Sequence, residues 1–183
     1  MSEQLIIEQC APTLAGIKTA NLFPCQYTDK QVLWHEIRKF NRSLSHKGVK
    51  MIPVKAENGF ALIYLYRPSK LEKDFENQLA SELLCQFGYA GGCSVKCIAV
   101  LARRLKDHSC FPHEIGLFLG YPPEDVKGFI ENKAGNCKCV GCWKVYGDVC
   151  SAQKCFENYK KCTRLYKQQY LNGKSIERLT VAV

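Results

Sequence analysis

Apolar positions recur along this chain at two spacings, and each predicts a set of elements. From Thr28 to His46, the residues Val32, Leu33, Ile37, Phe40 and Leu44 gather on one helical face behind a Thr28-Asp29-Lys30-Gln31 capping-box start, and Lys47-Gly48 ends the segment. Val49–Val54 and Phe60–Tyr66 then read as two strands around Asn58-Gly59, a strong hairpin signal. Pro53 marks the first as an edge strand, and the second is apolar enough to be buried on both faces. Upstream, residues 5–9 suggest a short strand or an extended lead-in, and Pro12 suggests the first turn of a helix running to Phe23, which puts Cys10 just before a helix start.

The second half of the chain is more helical. Pro68 begins a helix that runs, with a break, through Leu83 and Leu84 to Gly88. Gly91-Gly92 separates it from a helix over Cys93–Leu105, on which Cys97, Leu101 and Leu105 share a stripe. Ile115, Phe118 and Leu119 repeat at helical spacing, as do Val126, Phe129 and Ile130, so two short helices meet at Gly120-Tyr121-Pro122-Pro123 in a helical corner spanning 113–133. Val140–Tyr146 suggests a third strand or an extended segment. A long helix follows over about 151–171, with Cys155, Tyr159, Cys162, Tyr166 and Tyr170 on its inner face, and the tail to Val183 ends in β-formers that would add a strand. The expected architecture is a single α+β domain over 1–183, with helices packed on a small, mainly antiparallel sheet.

Composition narrows the setting. Hydrophobic residues make up 46% and charged residues 23% of the 183, an ordinary globular balance. The acidic start lacks the basic and apolar regions of a signal peptide, and no run approaches the roughly 18 apolar residues of a membrane span, so a cytoplasmic location is expected. There the twelve cysteines read as reduced thiols: buried small hydrophobes, metal ligands or redox groups. The net charge of +9 is concentrated from Lys133 to Arg178, which favours an anionic partner or an unidentified small molecule, whereas 114–131 is mainly acidic.

Three chemistries compete for the candidate residues. Cys137, Cys139 and Cys142 bring three soft donors within six residues, with Cys150, Cys110, His108 or His113 as a fourth, a set suited to zinc or an iron–sulfur cluster. Against it, a zinc ribbon needs two Cys-x-x-Cys knuckles, and a strand through Val140–Tyr146 would turn Cys139 and Cys142 to opposite faces. A cysteine nucleophile of a hydrolase or transferase would use Cys10 with His113 as base, Glu114 as the neighbouring acid and His46 as the alternative base; Cys93 is a further thiol with no base in sight. The corner at 113–133 echoes a helix-turn-helix, but its second helix begins Pro-Pro-Glu-Asp and would repel phosphates, which argues against nucleic acid there.

The segments Cys-Ala-Pro-Thr-Leu-Ala-Gly-Ile-Lys from Cys10, Leu-Ile-Tyr-Leu-Tyr-Arg-Pro from Leu62, Phe-Pro-His-Glu-Ile-Gly-Leu-Phe-Leu-Gly-Tyr-Pro-Pro-Glu-Asp-Val-Lys-Gly-Phe-Ile from Phe111 and Gly-Cys-Trp-Lys-Val-Tyr-Gly from Gly141 carry a resemblance. On them the whole chain resembles a family of cytoplasmic proteins from anaerobic bacteria that carry a domain of unknown function. The resemblance implies no reaction, cofactor or partner. Its pattern includes positions matching Cys10, Lys18, Tyr66, Arg67, His113, Glu114, Tyr121, Trp143, Lys144 and Tyr146, while the residue before Trp143 is commonly not cysteine. This shifts weight from a metal site through Cys142 to a pocket joining Cys10 and His113, with Lys18, Arg67, Tyr121, Trp143, Lys144 and Tyr146 around a ligand. The expected function is thiol-dependent binding of a ligand, a metal or a redox partner.

Overall fold

In a computed structural model describing residues 1–89, 93–107 and 111–182, the chain is an α+β protein that divides into two compact units. The first comprises Met1–Ser69 and Tyr159–Val183, the second Lys70–Asn158. The Gly91-Gly92 break, His108, Cys110 and Val183 lie outside the described residues.

The first unit is built on a three-stranded antiparallel sheet of β1 (Ala20–Gln26), β2 (Lys50–Glu57) and β3 (Phe60–Tyr66), in the order β1-β3-β2. Asn58 and Gly59 both take positive φ, 49° and 78°, which is the requirement of a two-residue turn matched to strand twist. The hairpin therefore forms as the sequence indicates. Pro53 sits on the edge strand β2, where the ladder slips between Pro53 and Lys55, and β3 lies between two neighbours.

The N-terminal expectation is corrected. Residues 5–9 are helix, not strand: α1 spans Glu3–Leu14, with the Ser2 side chain accepting from the Leu5 N–H at 3.2 Å. Ile6, Ile7, Cys10, Ala11 and Leu14 form its buried face, and Pro12 lies in its last turn rather than its first. Cys10 is thus a helix-interior core residue, and Ala20–Phe23 belongs to β1 rather than to a helix. Pro24 is tolerated in β1 because that strand is also an edge.

The second helix, α2 (Lys30–Leu44), is capped by Asp29, whose carboxylate accepts from the Gln31 N–H at 2.6 Å; a 3₁₀ turn over Ser45–Lys47 ends the segment. Leu33, Ile37, Phe40 and Leu44 join Ile6, Ile7, Leu14, Phe23, Ile63 and Leu65 in one core. Across this unit Arg67, fully buried, donates to the carbonyls of Thr13 (2.6 Å), Leu14 (2.7 Å), Lys47 (3.1 Å) and Val181 (2.8 Å). The guanidinium adds a donor to the carbonyls at the end of α1, where Thr13 also accepts from the Gly16 N–H at 3.1 Å and Leu14 from the Val181 N–H at 3.0 Å.

Beyond the sheet, α3 (Pro68–Phe75) leads to α4 (Gln78–Gln86) and α5 (Ser94–Lys106), with Cys97, Leu101 and Leu105 buried as their spacing implies. Next come α6 (Ile115–Phe118), α7 (Pro123–Glu131), β4 (Cys139–Val140), β5 (Lys144–Val145) and α8 (Val149–Leu171). The strand expected over Val140–Tyr146 is instead a small hairpin turning at Gly141-Cys142-Trp143, with Cys139 opposite Val145. The first helix of the helix-turn-helix candidate is one turn long, too short for that motif. The tail forms a helical turn, α9 (Ile176–Leu179), instead of a strand, and Val181 makes one backbone bond to Leu14.

Candidate functional site

The second unit holds a cavity of about 430 Å³ among α6, α7 and the β4–β5 hairpin. Most of its wall is apolar or aromatic: Ile115, Val126, Phe129, Val140, Tyr121 and Trp143, with Phe111 at the approach. The basic residues His113 and Lys144 are also part of this lining. A pocket of this size, with few polar groups in an apolar wall, is the usual form of a small-molecule site.

One carboxylate assembles the wall. Asp125 is only 3% exposed; its Oδ2 accepts from Trp143 Nε1 at 2.7 Å, and its Oδ1 accepts from the backbone N–H groups of Tyr146 and Gly147, each at 2.7 Å. These charge-assisted bonds fasten the hairpin to α7 and fix the indole plane. Tyr121 stacks on Trp143 with centroids 4.8 Å apart at 28°, and Trp143 meets the Phe156 ring edge-on at 4.5 Å. A side chain on Gly141 would collide with the Phe156 ring, so glycine there lets the hairpin approach α8. Gly120, at φ 72°, turns the chain between α6 and α7 and sets Tyr121 over the indole.

The basic pair flanks one ring. Lys144 Nζ donates to the Ala134 carbonyl at 2.6 Å and lies 5.9 Å from the centroid of Phe129, while the His113 ring meets Phe129 edge-on at 5.2 Å. Burial, with the nearby Cys142 thiol, pushes the Tyr121 hydroxyl up to about 12, so it stays a neutral phenol near pH 7. That hydroxyl donates to the Cys142 carbonyl at 3.4 Å. Tyr146, expected at the ligand, is not among the lining residues and donates through its hydroxyl to the Gly135 carbonyl at 2.9 Å.

Glu114 sits beside this site in sequence but is 1% exposed, and its Oε1 accepts from the Tyr89 hydroxyl at 2.7 Å and pairs with Arg104 Nε at 3.1 Å. Its partners hold the turn that carries His113.

Cys10, Lys18 and Arg67 belong to the first unit, whereas His113, Glu114, Tyr121, Trp143, Lys144 and Tyr146 belong to the second. Cys10 has no exposed surface, and burial pushes its thiol pKa far up despite the opposing influence of Lys18. Lys18, 7% exposed, lies over the Tyr159 ring at 5.8 Å. His46, the alternative base, is exposed on the 3₁₀ turn. Cys137 and Cys139 are half-buried and Cys142 is exposed at the hairpin tip; among the described residues no three His, Cys, Asp or Glu side chains gather as metal ligands. Cys93 precedes α5 without capping it. Also among the described residues, no helix is long and apolar enough to cross a membrane.

Sequence reasoning selected His113, Tyr121, Trp143 and Lys144, and these four line one cavity. It missed Asp125, which read as one more acid in a helix's first turn, and it assigned Val126 and Phe129 to packing alone. A buried acid at that position has no local signature, because its donors arrive about twenty residues later.

The class defined by these features is an α+β protein with a three-stranded antiparallel sheet in one unit and an aromatic cavity walled by short helices and a hairpin in the other. The chain belongs to the family described as "Protein of unknown function (DUF3793)", whose model matches residues 6–180. No curated protein and no solved structure matches it.

Proposed function

We propose that the second unit is a binding module for a small planar ligand that carries an anionic group. The observation that supports this most is the cavity of about 430 Å³ in which an Asp125-fixed indole, stacked on Tyr121, shares its lining with the basic side chains His113 and Lys144. A flat apolar ligand gains by stacking and by leaving water, while an ammonium at the lining rewards a carboxylate, sulfonate or phosphate on its edge. A thiol plays no part in this reading, since Cys10 is enclosed in the first unit and its thiolate is disfavoured there.

A planar aromatic sulfonate, anilinonaphthalene sulfonate, is a suitable probe. Titration of the native chain should give saturable binding at one site. Trp143→Leu should weaken it about tenfold, equivalent to roughly 1.4 kcal/mol, and Lys144→Met should weaken it severalfold while removing most of its salt dependence. Thermal melts check that both variants remain folded. Absence of saturable binding, or equal affinity in folded Trp143→Leu, refutes the proposal.

A further inference from the structure

We propose that the outer face of α2, in the first unit, is a docking surface for single-stranded nucleic acid. This surface is independent of the cavity in the second unit.

The helix separates its residues sharply. Leu33, Ile37, Phe40 and Leu44 are buried in the core, so the opposite side, at 100° per residue, carries His35, Arg38, Lys39 and Arg42, all exposed. Trp34 borders this face and is 40% exposed, whereas the chain's other tryptophan lines the cavity of the second unit. The one acid on α2, Glu36, is half-buried on the far flank. Among the described residues none of Arg38, Lys39 and Arg42 pairs with a carboxylate, although elsewhere on this unit Lys167 pairs with Glu8 at 3.0 Å. Lys39 shares a groove with Glu3 and Glu36, whereas Arg38 and Arg42 lie on the side of Trp34; cations without ion-pair partners beside an exposed indole cost self-repulsion and leave apolar surface in water, and they gain where an anion with flat apolar groups binds.

Single-stranded nucleic acid supplies both parts. Trp34, Arg38 and Arg42 follow each other at one-turn steps, about 6 Å along the axis, so a base can stack on the indole while neighbouring phosphates meet the guanidinium groups. A duplex hides its base faces and would use the cations only. A membrane would need the apolar side of α2, which is already packed in the core. An acidic peptide meets the charges but offers a flat group to Trp34 only where it carries an aromatic side chain, whereas every nucleotide carries one. The helix first suspected of nucleic-acid contact, α7, exposes Glu124, Lys127 and Glu131, with Lys127 and Glu131 paired at 3.8 Å, and offers no comparable face.

The test measures fluorescence anisotropy of labelled twelve-nucleotide oligouridylate and oligothymidylate against the full chain over a range of salt. Three phosphate contacts give a slope of log affinity against log salt of about −2, at about 0.7 per contact on a single strand. Trp34→Ala should weaken binding at least fivefold and leave the slope unchanged; the double variant Arg38→Gln/Arg42→Gln should shrink the slope by about 1.4. All three side chains are exposed, so circular dichroism melts should match the parent. Binding of either strand, whichever sugar is preferred, supports the proposal when both variants behave in this way. It is overturned if neither strand binds at low salt, if the variants bind like the parent, or if polyglutamate or phosphatidylserine vesicles bind and both oligonucleotides do not.

Discussion

The sharpest test of the site is removal of the Asp125 carboxylate. Each hydrogen bond to a charged group contributes about 1.5–3 kcal/mol, and Asp125 accepts three at 2.7 Å while almost wholly buried. The gross sum overstates the loss, because Trp143, Tyr146 and Gly147 are half-buried and can recover water in the variant. Asp125→Ala should therefore lose about 3–5 kcal/mol. Asp125→Asn keeps the shape and one acceptor oxygen for Tyr146 and Gly147, but turns an amide N–H₂ toward the indole N–H, two donors face to face. It should lose about 2–3 kcal/mol.

The assay is urea unfolding followed by Trp143 fluorescence in a Trp34→Phe background. Trp34 is exposed, so its replacement should cost little, and the remaining indole then reports on the second unit alone. Anilinonaphthalene sulfonate affinity should fall in both variants before global unfolding, since the indole loses its anchor. A loss below about 1 kcal/mol for folded Asp125→Ala, with unchanged dye affinity, refutes the view that this carboxylate assembles the wall.

Other predictions follow from groups elsewhere in the chain. Arg67→Met should lose about 3–5 kcal/mol in urea unfolding, because four backbone carbonyls lose a buried donor and, among the described residues, only those of Thr13 and Leu14 keep a backbone N–H, from Gly16 and Val181; a loss below about 1 kcal/mol refutes the view that the guanidinium holds this unit together. Asp148 accepts from the Ser151 hydroxyl at 2.7 Å and from its N–H at 3.1 Å, and chiefly that hydroxyl holds its pKa below the ordinary value. A lowered folded pKa gives stability that is complete above about pH 4 and lost as pH falls through the folded value, so the gap between parent and Asp148→Ala should close in acid; a constant gap from about pH 6 to pH 2 refutes this. Alkylation followed by mass spectrometry at about pH 8 should label Cys85, Cys142 and Cys150 first, Cys162 slowly because burial pushes its thiol to about 11, and Cys10, Cys25 and Cys97 only in denaturant. Early labelling of Cys10 would restore it as a nucleophile.

Local signals proved sufficient wherever the determinant was local. The Asn58-Gly59 turn, the edge position of Pro53, the buried strand after it and the Cys97-Leu101-Leu105 stripe are all set by residues within one or two turns of each other. The N-terminal error has one cause, a residue with two legitimate uses. Pro12 serves the first turn of a helix as readily as the last turn, where the chain is about to leave it, and that one choice displaced α1, hid β1 and exposed Cys10 on paper. The β-formers at the tail lost to contacts that no local pattern carries, since Arg67 and Lys47 seize the carbonyls of residues 177–181.

The site was legible as a set of residue types and opaque as an assembly. His113, Tyr121, Trp143 and Lys144 stand out because these aromatic and basic side chains sit within two residues of a glycine or proline or, for Lys144, beside such an aromatic. What fixes the indole among them is Asp125, which looks in sequence like any acid near a helix start. In the fold the same charge that suits the helix dipole also closes the hairpin, through donors 18, 21 and 22 residues away. One carboxylate with two roles ties cavity shape to helix stability, so substitutions that reshape this wall without touching Asp125, such as Phe129→Leu, should alter dye affinity far more than they alter unfolding. Equal losses in both measurements would show that the cavity is only a packing defect.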